Sequence, residues 1–381
     1  MESEFKVLTR TRFAYLDNLR SLVIILVISM HTAVTYSGLG KWYYNEGSGE
    51  NLSILEKFFF GFFQSFLQAW FMGILFFISA YLATKSLKKH GTLNFIKERL
   101  IRLGVPLLLY VFIISPFILF FLLGHYSENT LAENYTQYIT DFQWLGSTGP
   151  LWFVQVLLFF CIIYTVGKLL VLKPLRINSV NLVYILITIF IITIMSFGVR
   201  IVYPIGSSFL NLQFSYFPSY IALFIAGIII GENNLLEHIS DDKNIKWFKL
   251  TFLIGVPLWL ATMLLGGAIE GKTYYNGGFN WQNFTYSLWE SFTAVSFSIG
   301  IIALFRKSVN LENKFTRLLR DNAFSIYFFH APILIFISLG LSHFSLTPIF
   351  KFGLVFMFTS LTCLLFSFFV RKIKPIGILL K

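Results

Sequence analysis

The sequence predicts an all-α integral membrane protein of about ten transmembrane helices, with both termini in the cytoplasm. Three observations predict it: a composition that water cannot solvate, ten apolar stretches of spanning length, and a one-sided distribution of Lys and Arg. Of 381 residues, 56 % are hydrophobic and only 13 % charged, against roughly 25 % charged in soluble domains. Too few charges remain to cover a water-facing surface, so the natural solvent is a bilayer.

A spanning helix needs about 20 mostly apolar residues. The stretches that qualify are 19–37, 58–83, 103–123, 151–172, 180–202, 215–230, 247–265, 286–305, 323–341 and 350–370. In lipid the backbone must satisfy its own hydrogen bonds, and barrels show alternating strands rather than long apolar runs, so each stretch reads as a helix. The first follows a basic N-terminus as a signal peptide would. It is long, contains Arg20 and His31 and lacks a clear small-x-small cleavage site, so it reads as a retained span. The whole chain, 1–381, reads as a single transmembrane domain with no appended soluble domain.

Orientation follows from the cations of the short loops. One side takes 25 of the 30 Lys and Arg; the other holds Lys41, Lys57, Arg200, Lys272 and Lys351. The formal charge of +12 is therefore a topology signal, and no nucleic-acid partner is implied. The outer loops carry aromatics beside carboxylates, among them Trp42, Tyr43, Tyr44, Glu46, Trp144 and Trp281. Such a set suits sugar binding, or forms the aromatic belt of the membrane interface. Cys161 and Cys363 both lie within apolar runs and suggest no disulfide framework. None of the six His stand at i, i+4 spacing, so no metal site is indicated.

Ionisable groups inside spans are costly and usually face a cavity or a partner. Arg20 and His31 lie eleven residues apart on the first span, a rise of about 16 Å with a net rotation of about 20°. They share a face, Arg20 at the cytoplasmic edge and His31 past the midplane. The Arg suits an anion arriving from the cytoplasm, and the His suits a proton transfer deeper in. The alternative is an anchoring Arg and a buried structural His. Arg99 and Arg102, three apart, project to one side of a helix at the cytoplasmic edge. They suit phosphates, or simply add to the positive-inside bias. His330 stands about 10 Å from the inner end of the ninth span. Arg200 and Glu290, near the outer ends of theirs, either pair with each other or meet a solute. Asp17 orients Arg20 or caps the first helix.

These residues sit in text that resembles acyltransferase family 3, integral-membrane acyltransferases that modify extracytoplasmic sugars and other surface polymers. The matching segments are YLDNLRSLVIILVISMH from Tyr15 to His31, ERLIRLGVPLLL from Glu98, GPLWFVQVLL from Gly149, FPSYIALFIAGIIIG from Phe217 and SIYFFHAPIL from Ser325. The stretch from Leu16 to Tyr44 is similar to the branch that includes glucan-modifying succinyltransferases. The resemblance implies an acyl-CoA donor, with acetyl-CoA or succinyl-CoA as examples, entering from the cytoplasm; the plasma membrane is the expected setting, and the Lys-, Ile-, Asn- and Phe-rich text suggests an AT-rich bacterial genome. It implies that Arg20, Arg99 and Arg102 hold the donor and that His31 is catalytic, as general base or as acyl carrier. His330 would assist by polarising the carbonyl or orienting His31. Trp152, after Pro150, would meet a carbohydrate or lipid-linked glycan acceptor from outside. Arg200 and Glu290, where not paired with each other, are further candidates for acceptor binding from their own place near the outer ends of their spans. The fused hydrolase-like domain of some members is absent from this text, so handover to such a domain would need a separate partner. The rival classes are a secondary transporter of a small anionic or sugar-like solute and a non-catalytic membrane partner. No clear inverted repeat favours the transporter.

Overall fold

A computed structural model describes residues 14–124, 129–170, 175–237 and 240–380. Among these residues ten helices are long and apolar enough to cross a membrane, in the places where the hydropathy puts them. In chain order the helices are α1 Ala14–Ser37, α2 Ile54–His90, α3 Thr92–Leu122, the short α4 Leu131–Thr140, α5 Gly149–Leu169, α6 Leu182–Val202, α7 Phe214–Glu232, α8 Asp241–Leu265, α9 Trp281–Ser308, α10 Lys314–Leu341, α11 Pro348–Val370 and the short α12 Lys374–Leu379. The described residues form no named strand; Phe209 and Leu212 make an isolated bridge. Residues 171 and 172, the end of the fourth expected span, lie outside the described residues.

Several helices outrun the apolar stretches that predict them. Helix α3 begins at Thr92 rather than 103, α8 at Asp241 rather than 247, and α10 at Lys314 rather than 323. Hydropathy stops where the polar flank begins, but the backbone hydrogen bonds do not. Only a residue such as Gly91, at φ 74°, breaks the chain between α2 and α3. Caps fix other ends: Ser53 and Glu56 form a reciprocal capping box at α2, and Asn313 with Thr316 does the same at α10.

Prolines shape the helices from inside. Wide π-type turns occupy Leu100–Gly104, Tyr110–Ile114 and Phe117–Leu122 of α3 and Thr251–Gly255 of α8, around Pro106, Pro116 and Pro257. A proline lacks the N–H owed to the carbonyl four residues back and crowds it, so the turn widens. The carbonyl so deprived by Pro116 is that of Phe112. It accepts from the Tyr135 hydroxyl of α4 at 3.1 Å, while Val111 O accepts from Tyr138 at 2.8 Å. Amphipathic α4 thus closes the hydrogen bonds that α3 leaves open.

The bundle is tightest between α2 and α7. Glycines make this possible: Gly227 and Gly231, one turn apart on α7, lie directly on the α2 backbone. A Cβ at Gly227 would come within 2.4 Å of Phe77 O, and one at Gly231 within 2.3 Å of the Thr84 hydroxyl. Small residues four apart are the usual device for close helix approach in lipid. Gly227→Leu should therefore push α7 off α2 and cost about 1–3 kcal/mol, the usual range for overpacking; thermal unfolding in detergent measures it. Helix α1, the expected retained span, packs against α2, α9, α10 and α11.

Candidate active site

Helices α1 and α10 both start at the basic end of the bundle. His31 is 17 residues into α1 and His330 is 16 into α10, rises of about 26 and about 24 Å. The two imidazoles therefore meet at one level. Their rings lie nearly parallel, 17° apart, with centroids separated by 5.3 Å, and no hydrogen bond joins them. The earlier start of α10 places His330 deeper than the apolar stretch alone suggests.

A third ring completes the cluster. The Trp42 indole stacks on His31 at 3.7 Å and 15°, and lies 6.3 Å from His330. The loop after α1 brings it there. Gly38, at φ 65°, turns the chain where a Cβ would meet Gly47 O at 2.5 Å. The amides of Glu46 and Gly47 then both donate to Thr35 O at 2.9 and 3.1 Å. Lys351 of α11 pairs with Glu46 and holds the loop down. The loop Trp is thus folded in over the His rather than standing free in the outer loop.

Tyr327 fixes His330. Its carbonyl lies 2.7 Å from His330 Nδ1, and a carbonyl only accepts, so Nδ1 carries the proton. In the neutral imidazole this leaves Nε2 as a lone-pair acceptor, and Nε2 is buried with no partner among the described residues. The Tyr327 hydroxyl donates to Pro150 O, which ties α10 to the Gly149-Pro150 turn opening α5. Gly149 has φ 48° and sits against Tyr43 and Tyr110; a Cβ there would meet the Tyr43 hydroxyl at 2.4 Å. Burial pushes the Tyr43 phenol above its usual range, so it stays a protonated donor.

At the basic end, Arg20 is 44 % exposed along its side chain and reaches Asp17 at 3.5 Å. Arg99 and Arg102 of α3 lie close enough to act on it electrostatically. Arg102 contacts Glu98 at 2.9 Å, and the Arg99 guanidinium lies 4.9 Å over the Phe95 ring. The α1 and α3 cations thus gather at one edge, and the helix that holds Arg20 carries His31 further in.

Arg200 and Glu290, which the sequence offers either to each other or to a solute on the acceptor path, are bound to each other at 2.5 Å, at 0 % and 1 % exposure. Arg200 also donates to the Ser287 hydroxyl at 3.1 Å and lies between the Tyr216 and Tyr286 rings. A sealed pair joining α6 to α9 presents no surface to a solute. Pairing offsets the cost that either charge would carry alone inside the bundle. Trp152 is half-buried and stacks on Tyr220 at 5.6 Å; Gln68 donates to the Tyr220 hydroxyl at 2.9 Å.

A family model described as an acyltransferase domain matches residues 13–370. The chain belongs to acyltransferase family 3. No curated protein and no solved structure matches it. This membrane acyltransferase carries His31 and His330 side by side in its bundle and Arg20, Arg99 and Arg102 near one another at its basic edge. Trp42 was read only as one of the outer-loop aromatics, and Tyr327, Gln68 and Gln155 escaped the sequence reading. The two glutamines left a signal, since an amide in a Phe-rich span is costly and Gln155 Oε1 is buried without a partner among the described residues.

Proposed function

We propose that this acyltransferase moves an acyl group, acetyl or succinyl in kind, from cytoplasmic acyl-CoA to a hydroxyl of an extracytoplasmic carbohydrate or lipid-linked glycan. The observation that carries this reading is the convergence of His31 and His330 in the bundle, with His31 eleven residues up α1 from Arg20 and with Arg99 and Arg102 near Arg20 at the basic edge. The plasma membrane of a bacterium is the setting the reading requires, with the basic end facing the cytoplasm.

In this reading the donor phosphates meet the three guanidiniums. The pantetheine arm carries the thioester up α1 toward His31. The acceptor approaches from the opposite end, past Trp152. His31 takes the hydroxyl proton as the oxygen bonds to the thioester carbon. The carbon–sulfur bond then breaks, and the thiolate leaves with the proton that His31 held. The variant route has His31 carry the acyl group itself between donor and acceptor. His330 Nε2, a buried acceptor, suits holding the incoming hydroxyl or receiving its proton.

Arg20→Ala and Arg99→Ala should each weaken acyl-CoA binding about tenfold, the effect of one charge-assisted hydrogen bond, with maximal turnover little changed. Titration calorimetry with a non-hydrolysable CoA thioether measures it, and unchanged affinity in both variants contradicts the phosphate site. The acceptor is tested by mass spectrometry of cell-envelope glycans with and without the protein. An acyl mass present only with it supports the reading, and identical glycans oppose it.

A further inference from the structure

We propose that Trp42 is a catalytic residue whose indole Nε1–H stabilises the oxyanion formed when a hydroxyl attacks the thioester beside His31. The proposal rests on the acyl-transfer reading and adds a residue to it. Attack moves the carbonyl π electrons onto oxygen, and that charge needs a preorganised donor in a site shielded from water. His330 does not supply one while neutral, because its single N–H is committed to Tyr327 O. The Tyr327 hydroxyl is committed to Pro150 O. The Tyr43 hydroxyl lies 3.4 Å from Ser115.

Trp42 differs from these groups. Its ring touches that of His31, with centroids 3.7 Å apart, and its Nε1 is buried with no partner among the described residues. An indole nitrogen is a donor only, and leaving a buried donor unmade is costly. Near-parallel stacking puts this N–H in a plane just above the His31 ring. A carbonyl attacked by an oxygen that His31 is deprotonating can direct its own oxygen into that plane. The loop that holds Trp42 is fastened at Thr35 and Lys351, so the donor is fixed before reaction.

The electron balance is complete without another reactant. The hydroxyl proton goes to His31, the new carbon–oxygen bond forms, and the oxyanion accepts from Nε1–H. The oxyanion collapses, the carbon–sulfur bond breaks, and the thiolate takes the proton back.

Trp42→Phe keeps a ring on His31 and removes the N–H. We expect kcat for acyl transfer to fall about 100-fold, as on loss of one oxyanion donor, with donor KM and affinity for a CoA thioether unchanged. Trp42→His, which restores a ring N–H, should recover at least about fivefold over Trp42→Phe; it also serves if Trp42→Phe folds poorly. Trp42→Phe at wild-type kcat overturns the proposal, as a stacking or sugar-platform role predicts. Trp42→His no better than a folded Trp42→Phe overturns it too. A wild-type protein that transfers no acyl group overturns the underlying reading as well, so the two failures are distinguishable.

Discussion

His31→Ala is expected to abolish acyl transfer, by about 100-fold to 10,000-fold, while folded protein remains in the membrane. The range is what a positioned proton-transfer group contributes. The helix should persist, because Ala is the best helix former and α1 is held by Leu19, Val23, Val27 and Ile28, all buried. What the variant loses is the imidazole under Trp42 and beside His330. Donor affinity should be unchanged, since Arg20 is eleven residues away at the basic edge. Quenching the wild type with labelled donor and no acceptor separates the two routes: label retained on protein indicates an acyl-imidazole, and its absence favours direct transfer. Full activity in His31→Ala removes the catalytic assignment.

The second large effect concerns stability. Glu290→Ala strands the Arg200 guanidinium at 0 % exposure, and breaking a buried pair from one side costs about 3–5 kcal/mol. The double variant Arg200→Met, Glu290→Met removes both charges, and such apolar replacement is often neutral or stabilising. The double variant should therefore unfold in detergent close to the wild-type temperature, while the single variant unfolds well below it. If the double variant is stable and still transfers acyl groups, the pair is structural. A stable double variant that has lost only acceptor use would return these residues to the acceptor path.

These two predictions mark where the sequence was sufficient and where it was not. Arg20 and His31 share a face by helical arithmetic alone, and any helix there must keep them so. That His31 would turn inward toward His330 follows from the expense of an imidazole in lipid. For Arg200 and Glu290 the sequence offers two outcomes, and relative helix rotation chooses between them. Rotation depends on the packing between helices, and no periodicity encodes it. Trp42 was further out of reach. Its place depends on a left-handed turn at Gly38 and on two amides returning to Thr35 O, and loop geometry of that kind has no repeat to read. The helix ends were underestimated for a plainer reason: apolarity marks the lipid, whereas capping and glycine mark the helix.

The most direct measurement of the central claim uses purified protein, labelled acyl-CoA and an acceptor glycan, with no transmembrane gradient. The account predicts that free CoA thiol appears and label passes to the glycan in the wild type, and that both cease in His31→Ala. A thioester left intact by the wild type across acetyl and succinyl donors, with solute movement under an imposed gradient instead, would contradict it.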